Sequence, residues 1–217
     1  MRARLSVLAA ALVVAAALPV PARAETEDPC SGPQAHTLLC PNLRIGPPAD
    51  LYLQDAGGRE LLRTTSDVRS RATLRFADVG SYFGGSYWKV HELARFELRR
   101  ASPGGELGRV VRVGPKLNYC LRDLERTRPG RHSPDDPHYP GCNQNPYQDR
   151  VTLGTSVGWS DIYPADYDKQ WIDVTGLRGC FAFTMTVDPQ HLLFESNERD
   201  NTSQHLVRLP FTGNDGC

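Results

Sequence analysis

The sequence predicts an all-β fold, an antiparallel β-sandwich with long irregular loops. Three observations carry that expectation. Apolar and polar residues alternate in short runs; proline- and glycine-rich turn signals separate the runs; and beyond residue 24 no stretch sustains a 3.6-residue apolar period. The six cysteines add disulfide bonds to the picture.

Taken in order, the chain opens with MRARLSVLAAALVVAAALPVPARA. Arg2 and Arg4 precede an apolar run that ends at Pro19 and Pro21, followed by Ala22-Arg23-Ala24. This is the pattern of a secretory signal peptide over residues 1–24, cut after Ala24. It leaves residues 25–217 as a single β domain, long enough to bury a core. No later run is long and apolar enough to span a bilayer. The expected location is therefore secreted, outside the cell.

The first clear strand is VHELARFELRR, which sets Val90, Ala94, Phe96 and Leu98 against His91, Arg95 and Glu97. Pro103-Gly104-Gly105 then turns the chain into RVVRVG. A polar, proline-rich stretch over 123–150 breaks the alternation, and Cys120 and Cys142 bracket most of it. A loop of that length is usually functional or tethered. RVTLGTSVGW, QWIDVTG, CFAFTMTVDP and HLVRLPF read as further strands. In CFAFTMTVDP, Phe181, Phe183, Met185 and Val187 share one face and Cys180, Ala182, Thr184 and Thr186 the other.

All six cysteines follow the signal segment, and none is spaced C-x-x-C, so disulfides are expected rather than a structural zinc site. Loop closure favours Cys30–Cys40 and Cys120–Cys142, leaving Cys180–Cys217. The net charge of +0 gives no electrostatic case for a nucleic-acid or anionic-membrane partner.

Two segments carry the chemistry. GPKLNYCLRD presents Lys116 near the end of a strand, ahead of Cys120. SDIYPADYDKQWIDVTG presents Tyr163 in a loop among Asp161, Asp166 and Asp168. With HLLFESNERDN near the C-terminus, they resemble the lysyl oxidase family. Gly114, Lys116, Tyr119, Cys120, Leu121 and Asp123 match its lysine-donating motif. Asp161, Tyr163, Ala165, Asp166, Asp168, Gln170, Trp171, Ile172 and Asp173 match its tyrosine-donating motif. The resemblance covers roughly residues 88 to 201 and, more weakly, 40 to 55.

That resemblance implies specific roles. Lys116 and Tyr163 stand where the family cross-links a lysine to a tyrosine, making lysine tyrosylquinone. Asp161 stands where it places the base that takes the alpha proton of an amine bound to the quinone. The family builds the cofactor with copper held by His-x-His-x-His. The matching positions here are Gly84, Ser86 and Trp88, or Gly85, Tyr87 and Lys89, and none is histidine. No copper ligands are identified. His91 stands alone, and His132 and His138 form only a pair, too few for a copper site by themselves.

The resemblance also implies a structural calcium. Glu195, Asn197, Asp200 and Asn201 offer hard oxygen ligands at close spacing, joined by Asn42 and the backbone carbonyl of Leu43. Two functions follow as expectations. One is a catalytically degenerate binding or structural module of the cell exterior, with an extracellular protein or a primary amine as its ligand. The other is a copper- and lysine-tyrosylquinone-dependent protein-lysine 6-oxidase, which turns primary amines into aldehydes and releases hydrogen peroxide.

Overall fold

The computed structural model describes residues 30, 41–70, 81–82, 87–142, 152–213 and 217. Its strands are β1 (Leu43–Ile45), β2 (Ala49–Asp55), β3 (Glu60–Ser70), β4 (Ser81–Tyr82), β5 (Tyr87–Trp88), β6 (Val90–Ala101), β7 (Leu107–Val113), β8 (Leu117–Tyr119), β9 (Ser160–Tyr163), β10 (Trp171–Asp173), β11 (Gly179–Val187) and β12 (Thr202–Leu209). They build two five-stranded antiparallel sheets and a two-stranded ribbon of β4 and β5.

Strand β3 is the spine of the first sheet. Its first half pairs with β2 and β10, and its second half with β1 and β9. One long strand thereby sets four short ones in place. The second sheet runs β12-β11-β6-β7, with β8 beside the start of β6. Between the sheets, Leu43, Leu62 and Ile172 from the first meet Phe96, Leu98, Phe183 and Met185 from the second, all essentially buried. Phe96 and Phe183 meet edge to face at 5.5 Å. Each such side chain stabilises the fold by roughly 1.5–3 kcal/mol relative to exposure.

In β11 Phe181, Phe183, Met185 and Val187 are all buried, as the alternation predicts, but Ala182 and Thr184 of the opposite face are buried as well. In β6 the pattern is interrupted at Glu92. Its φ of 50° marks a bulge, the pairing with β8 shifts between Val90 and Ala94, and Leu93 joins the core. Two expectations need correction. RVTLGTSVGW is not a strand over its described residues. The Gly154 amide bonds Leu121 O and the Ser156 amide bonds the Asp123 carboxylate, so a side chain takes the place of a neighbouring strand. Tyr163, expected in a loop, ends β9, because β3 extends far enough to pair Ser66 with it.

The disulfides Cys120–Cys142 and Cys180–Cys217 form as expected, with Cα–Cα distances of 5.4 and 5.6 Å. Cys30 is also disulfide-bonded; Cys40, its expected partner, lies outside the described residues, as does the expected signal segment. Among the described residues no helix is long and apolar enough to cross a membrane.

Candidate functional site

Asp161 and Tyr163 are alternate residues of β9, so both side chains leave the same face of the strand. Asp161 is fully buried, and neither carboxylate oxygen has a hydrogen-bond partner among the described residues. Arg122 Nε lies 3.7 Å from Oδ1. Burial pushes the carboxyl up to about 7, against the opposing pull of Arg122, the Leu121 amide and the Lys89 ammonium. At neutral pH this is a group poised to hold or release a proton.

The Tyr163 ring packs between Tyr119, at 4.2 Å, and Tyr167, edge-on at 5.3 Å. Its hydroxyl accepts a long 3.5 Å contact from the Cys120 amide. Burial first, then the nearby Asp161 carboxylate, drives the phenol pKa far upward. The phenolate, which metal coordination and oxidation both draw on, is strongly disfavoured. Tyr163 lines a cleft of about 660 Å³ together with Arg122, Glu125, Tyr167 and the Cys120–Cys142 disulfide.

Lys116 is elsewhere. It lies in the turn before β8, its side chain is 73% exposed, and its ammonium pairs with Glu92. The pair lines a separate cavity of about 230 Å³ beside Arg95 and Pro189. Glu92, also bonded by Gln190, is held below the usual carboxylate range mainly by its bond to Lys116. The structure thus brings Asp161 and Tyr163 together and gives Lys116 a different carboxylate.

The remaining motif residues serve the fold. Gly114 leaves no room for a side chain, since a Cβ would stand 2.9 Å from Trp171 O and 3.1 Å from Phe96 Cβ. Ser66 bonds both Tyr119 and Gln170, closing a buried polar chain behind Tyr163. Ala165 O accepts from Arg63 Nε at 2.6 Å. Asp173, capped by Thr175, has its carboxyl lowered to about 2 by those bonds. Asp166 and Asp168 are exposed.

Sequence reasoning missed the function of Asp123. This buried carboxylate accepts from the amides of His138, Tyr139 and Ser156 and from the Ser156 hydroxyl, tying the long loop to the cleft. Proline-rich sequence on one side of it was the available signal. Asp188 acts similarly on the amides of Leu192 and Leu193, ahead of the Glu195 segment.

The copper positions do not fit copper. Gly84, Gly85 and Ser86 lie outside the described residues, but their identities supply no ligand side chain except a hydroxyl. Trp88 is packed in the core, and Lys89 places an ammonium near Asp161. His91 is on the surface, 3.8 Å from Glu92. His132 and His138 are exposed. Among the described residues no three His, Cys, Asp or Glu side chains gather as a metal group.

The calcium residues cluster. Glu195 is buried; its Oε2 accepts from the Leu43 amide at 2.5 Å and its Oε1 from Asn201 Nδ2 at 2.8 Å. Asn42 and Arg44 both bond Asp200. The Oδ1 atoms of Asn42, Asp200 and Asn201 are buried without a hydrogen-bond partner among the described residues. Burial pushes Glu195 up to about 7. Leu43 turns its amide, and Asn197 instead caps the 3-10 turn Glu198–Asp200, accepting from the Arg199 amide at 3.2 Å.

A match to the lysyl oxidase family spans residues 52–214. Protein-lysine 6-oxidase of Gallus gallus is 28% identical over 173 residues, covering 74% of this chain and 36% of the relative. Protein-lysine 6-oxidase of Sus scrofa is 28% identical over 169 residues, 74% of this chain and 61% of the relative. Lysyl oxidase homolog 1 of Homo sapiens is 27% identical over 130 residues, 58% of this chain and 19% of the relative. The chain thus spans less than two thirds of each of these relatives' lengths. The family match runs through both sheets, the Lys116 turn and the β9 cleft, and on that breadth the chain belongs to the lysyl oxidase family.

Proposed function

We propose that this chain is a secreted lysyl-oxidase-fold module that binds ligands rather than oxidising them. The observation that carries this reading is the identity of the copper positions: glycine, serine, tryptophan, tyrosine and lysine, with no imidazole. The separate ion pair of Lys116 with Glu92 and the suppressed ionisation of Tyr163 support it. The cleft beside Tyr163, with Glu125 on its wall, offers a carboxylate to a primary amine of an extracellular protein. The test is copper loading followed by intact-mass and peptide analysis. The expected outcome is an uncross-linked Lys116 peptide, no quinone absorbance and no amine-dependent peroxide. A Lys116–Tyr163 cross-link with peroxide release would overturn it.

The second reading is a protein-lysine 6-oxidase, the activity named for the chicken and pig relatives. It is favoured by the presence together of Lys116, Tyr163 and Asp161. In that reading Asp161 holds the transferred proton, and its buried, proton-accepting carboxyl suits the task.

Calcium belongs to either reading. The unpartnered oxygens of Asn42, Asp200 and Asn201, beside Glu195, fit a hard cation with oxygen ligands. Asp200 would exchange its Arg44 partner for the metal. Calcium at a hundredfold excess over its Kd adds about 2.7 kcal/mol of stability. Chelator should lower the melting temperature of wild type and leave a Glu195→Ala, Asp200→Ala double variant unmoved. Identical wild-type curves with and without calcium would remove the site.

A further inference from the structure

A third cavity, of about 390 Å³, shares no lining residue with the Tyr163 cleft. Arg44, Arg69 and Arg128 line it, with Thr127, Gly158 and Trp159. Its lining includes no carboxylate, in a chain whose net charge is +0.

The arrangement is electrostatically costly. Arg44 of β1 and Arg69 of β3 stand directly opposite each other across an antiparallel pair. Like charges in that relation destabilise a sheet. Each is offset from one side: Arg44 by Asp200 and Arg69 by Asp67. The offset is incomplete, since the Nε atoms of both arginines are buried without an acceptor among the described residues. Arg128 brings a third guanidinium with no ion pair among the described residues.

The surroundings hold these groups in place. Gly46 makes room for Arg69, because a Cβ there would stand 2.8 Å from Nη2. The Arg128 amide donates to Gly158 O at 3.0 Å, fixing the arginine's loop to the cavity wall. Gly158 has φ +82, and a Cβ would fall 2.1 Å from Ser133 Oγ, so the wall is closed at that point. Trp159 donates Nε1 to Pro134 O at 3.0 Å and stands as a fixed apolar side.

We propose that this cavity binds a sulfate or phosphate ester group. Guanidinium forks match tetrahedral oxyanions in planar, charge-assisted hydrogen bonds. One oxyanion placed among the three arginines relieves the Arg44–Arg69 repulsion and supplies the missing charge for Arg128. The apolar wall of Trp159 would lie against the group that carries the ester. The site depends on neither copper nor the quinone.

Isothermal titration of the full mature chain with inorganic sulfate, inorganic phosphate and the sulfated and phosphorylated forms of one monosaccharide tests it. Saturable one-site binding that weakens with salt is expected for at least one probe. The ranking of the two sugar esters distinguishes a sulfated from a phosphorylated source. Arg128→Gln changes an exposed side chain, so folding is kept, and it should weaken binding roughly tenfold, as loss of one charge-assisted contact does. Arg109→Gln, on the exposed strand β7, removes the same charge far from the cavity lining and should leave affinity unchanged. Absence of saturable binding by all four probes, or wild-type affinity in Arg128→Gln, overturns the proposal.

Discussion

At Asp161 and Glu195, burial outweighs every favourable contact, and both carboxyls rise to about 7. Their ordinary values are 3.8 and 4.5, so the folded state binds protons more tightly than the unfolded chain. The stability they contribute is fully present below those ordinary values and is lost as pH rises through 7. Each group contributes a slope of at most about 1.4 kcal/mol per pH unit in that window. Asp173, lowered to about 2, acts with the opposite sign and only in more acidic solution. Urea unfolding of metal-free protein between pH 5 and 8 should show stability falling with pH, and Asp161→Asn with Glu195→Gln should flatten the curve. An unchanged slope in that double variant would contradict the assignment. Asp123 makes a different prediction. Its four accepted hydrogen bonds bury four donors, and Asp123→Ala strands them, at a cost of about 3–5 kcal/mol by chemical denaturation. A loss under about 1 kcal/mol would show that water replaces the carboxylate.

The elements show why one motif can persist as scaffold. β9 pairs with β3 from Ser160 to Tyr163, while β8 pairs with β6 in the other sheet, so Lys116 and Tyr163 arrive on different sheets. The loop between them is held by Asp123, by the Cys120–Cys142 disulfide and by the Gly158 contact. Gly158→Ala forces a side chain into a left-handed φ and against Ser133, and should destabilise by more than about 1 kcal/mol. Removing the disulfide as Cys120→Ala, Cys142→Ala frees a loop with a sequence separation of 22. The expected loss is about 3 kcal/mol of unfolding free energy, read by denaturant titration under non-reducing conditions. A midpoint equal to wild type in either variant would place the loop's restraint elsewhere.

For the whole molecule, folding is expected to require disulfide formation. Non-reducing peptide mapping of exported protein should recover Cys120–Cys142 and Cys180–Cys217, with Cys30 joined to Cys40. Free thiols on the folded protein would refute that framework. The all-β class, the strands β6, β7 and β10 to β12 and the pairings Cys120–Cys142 and Cys180–Cys217 were legible in the sequence. Alternation and short loop closure are local properties: β6 follows the alternation from Ala94 to Leu98, and the large apolar residues of β11 share one buried face. The motif residues could likewise be named, since residue identity alone excludes imidazole at the copper positions. Strands β1 to β3 were not legible, because β3 is polar along much of its length and owes its form to four partners. Partnership is a tertiary quantity throughout this protein. Only the folded chain pairs Lys116 with Glu92, buries the Asp161 carboxylate beside Arg122, and stands Arg44 opposite Arg69. Desolvation and like-charge proximity depend on residues far apart in sequence, and no local pattern encodes them.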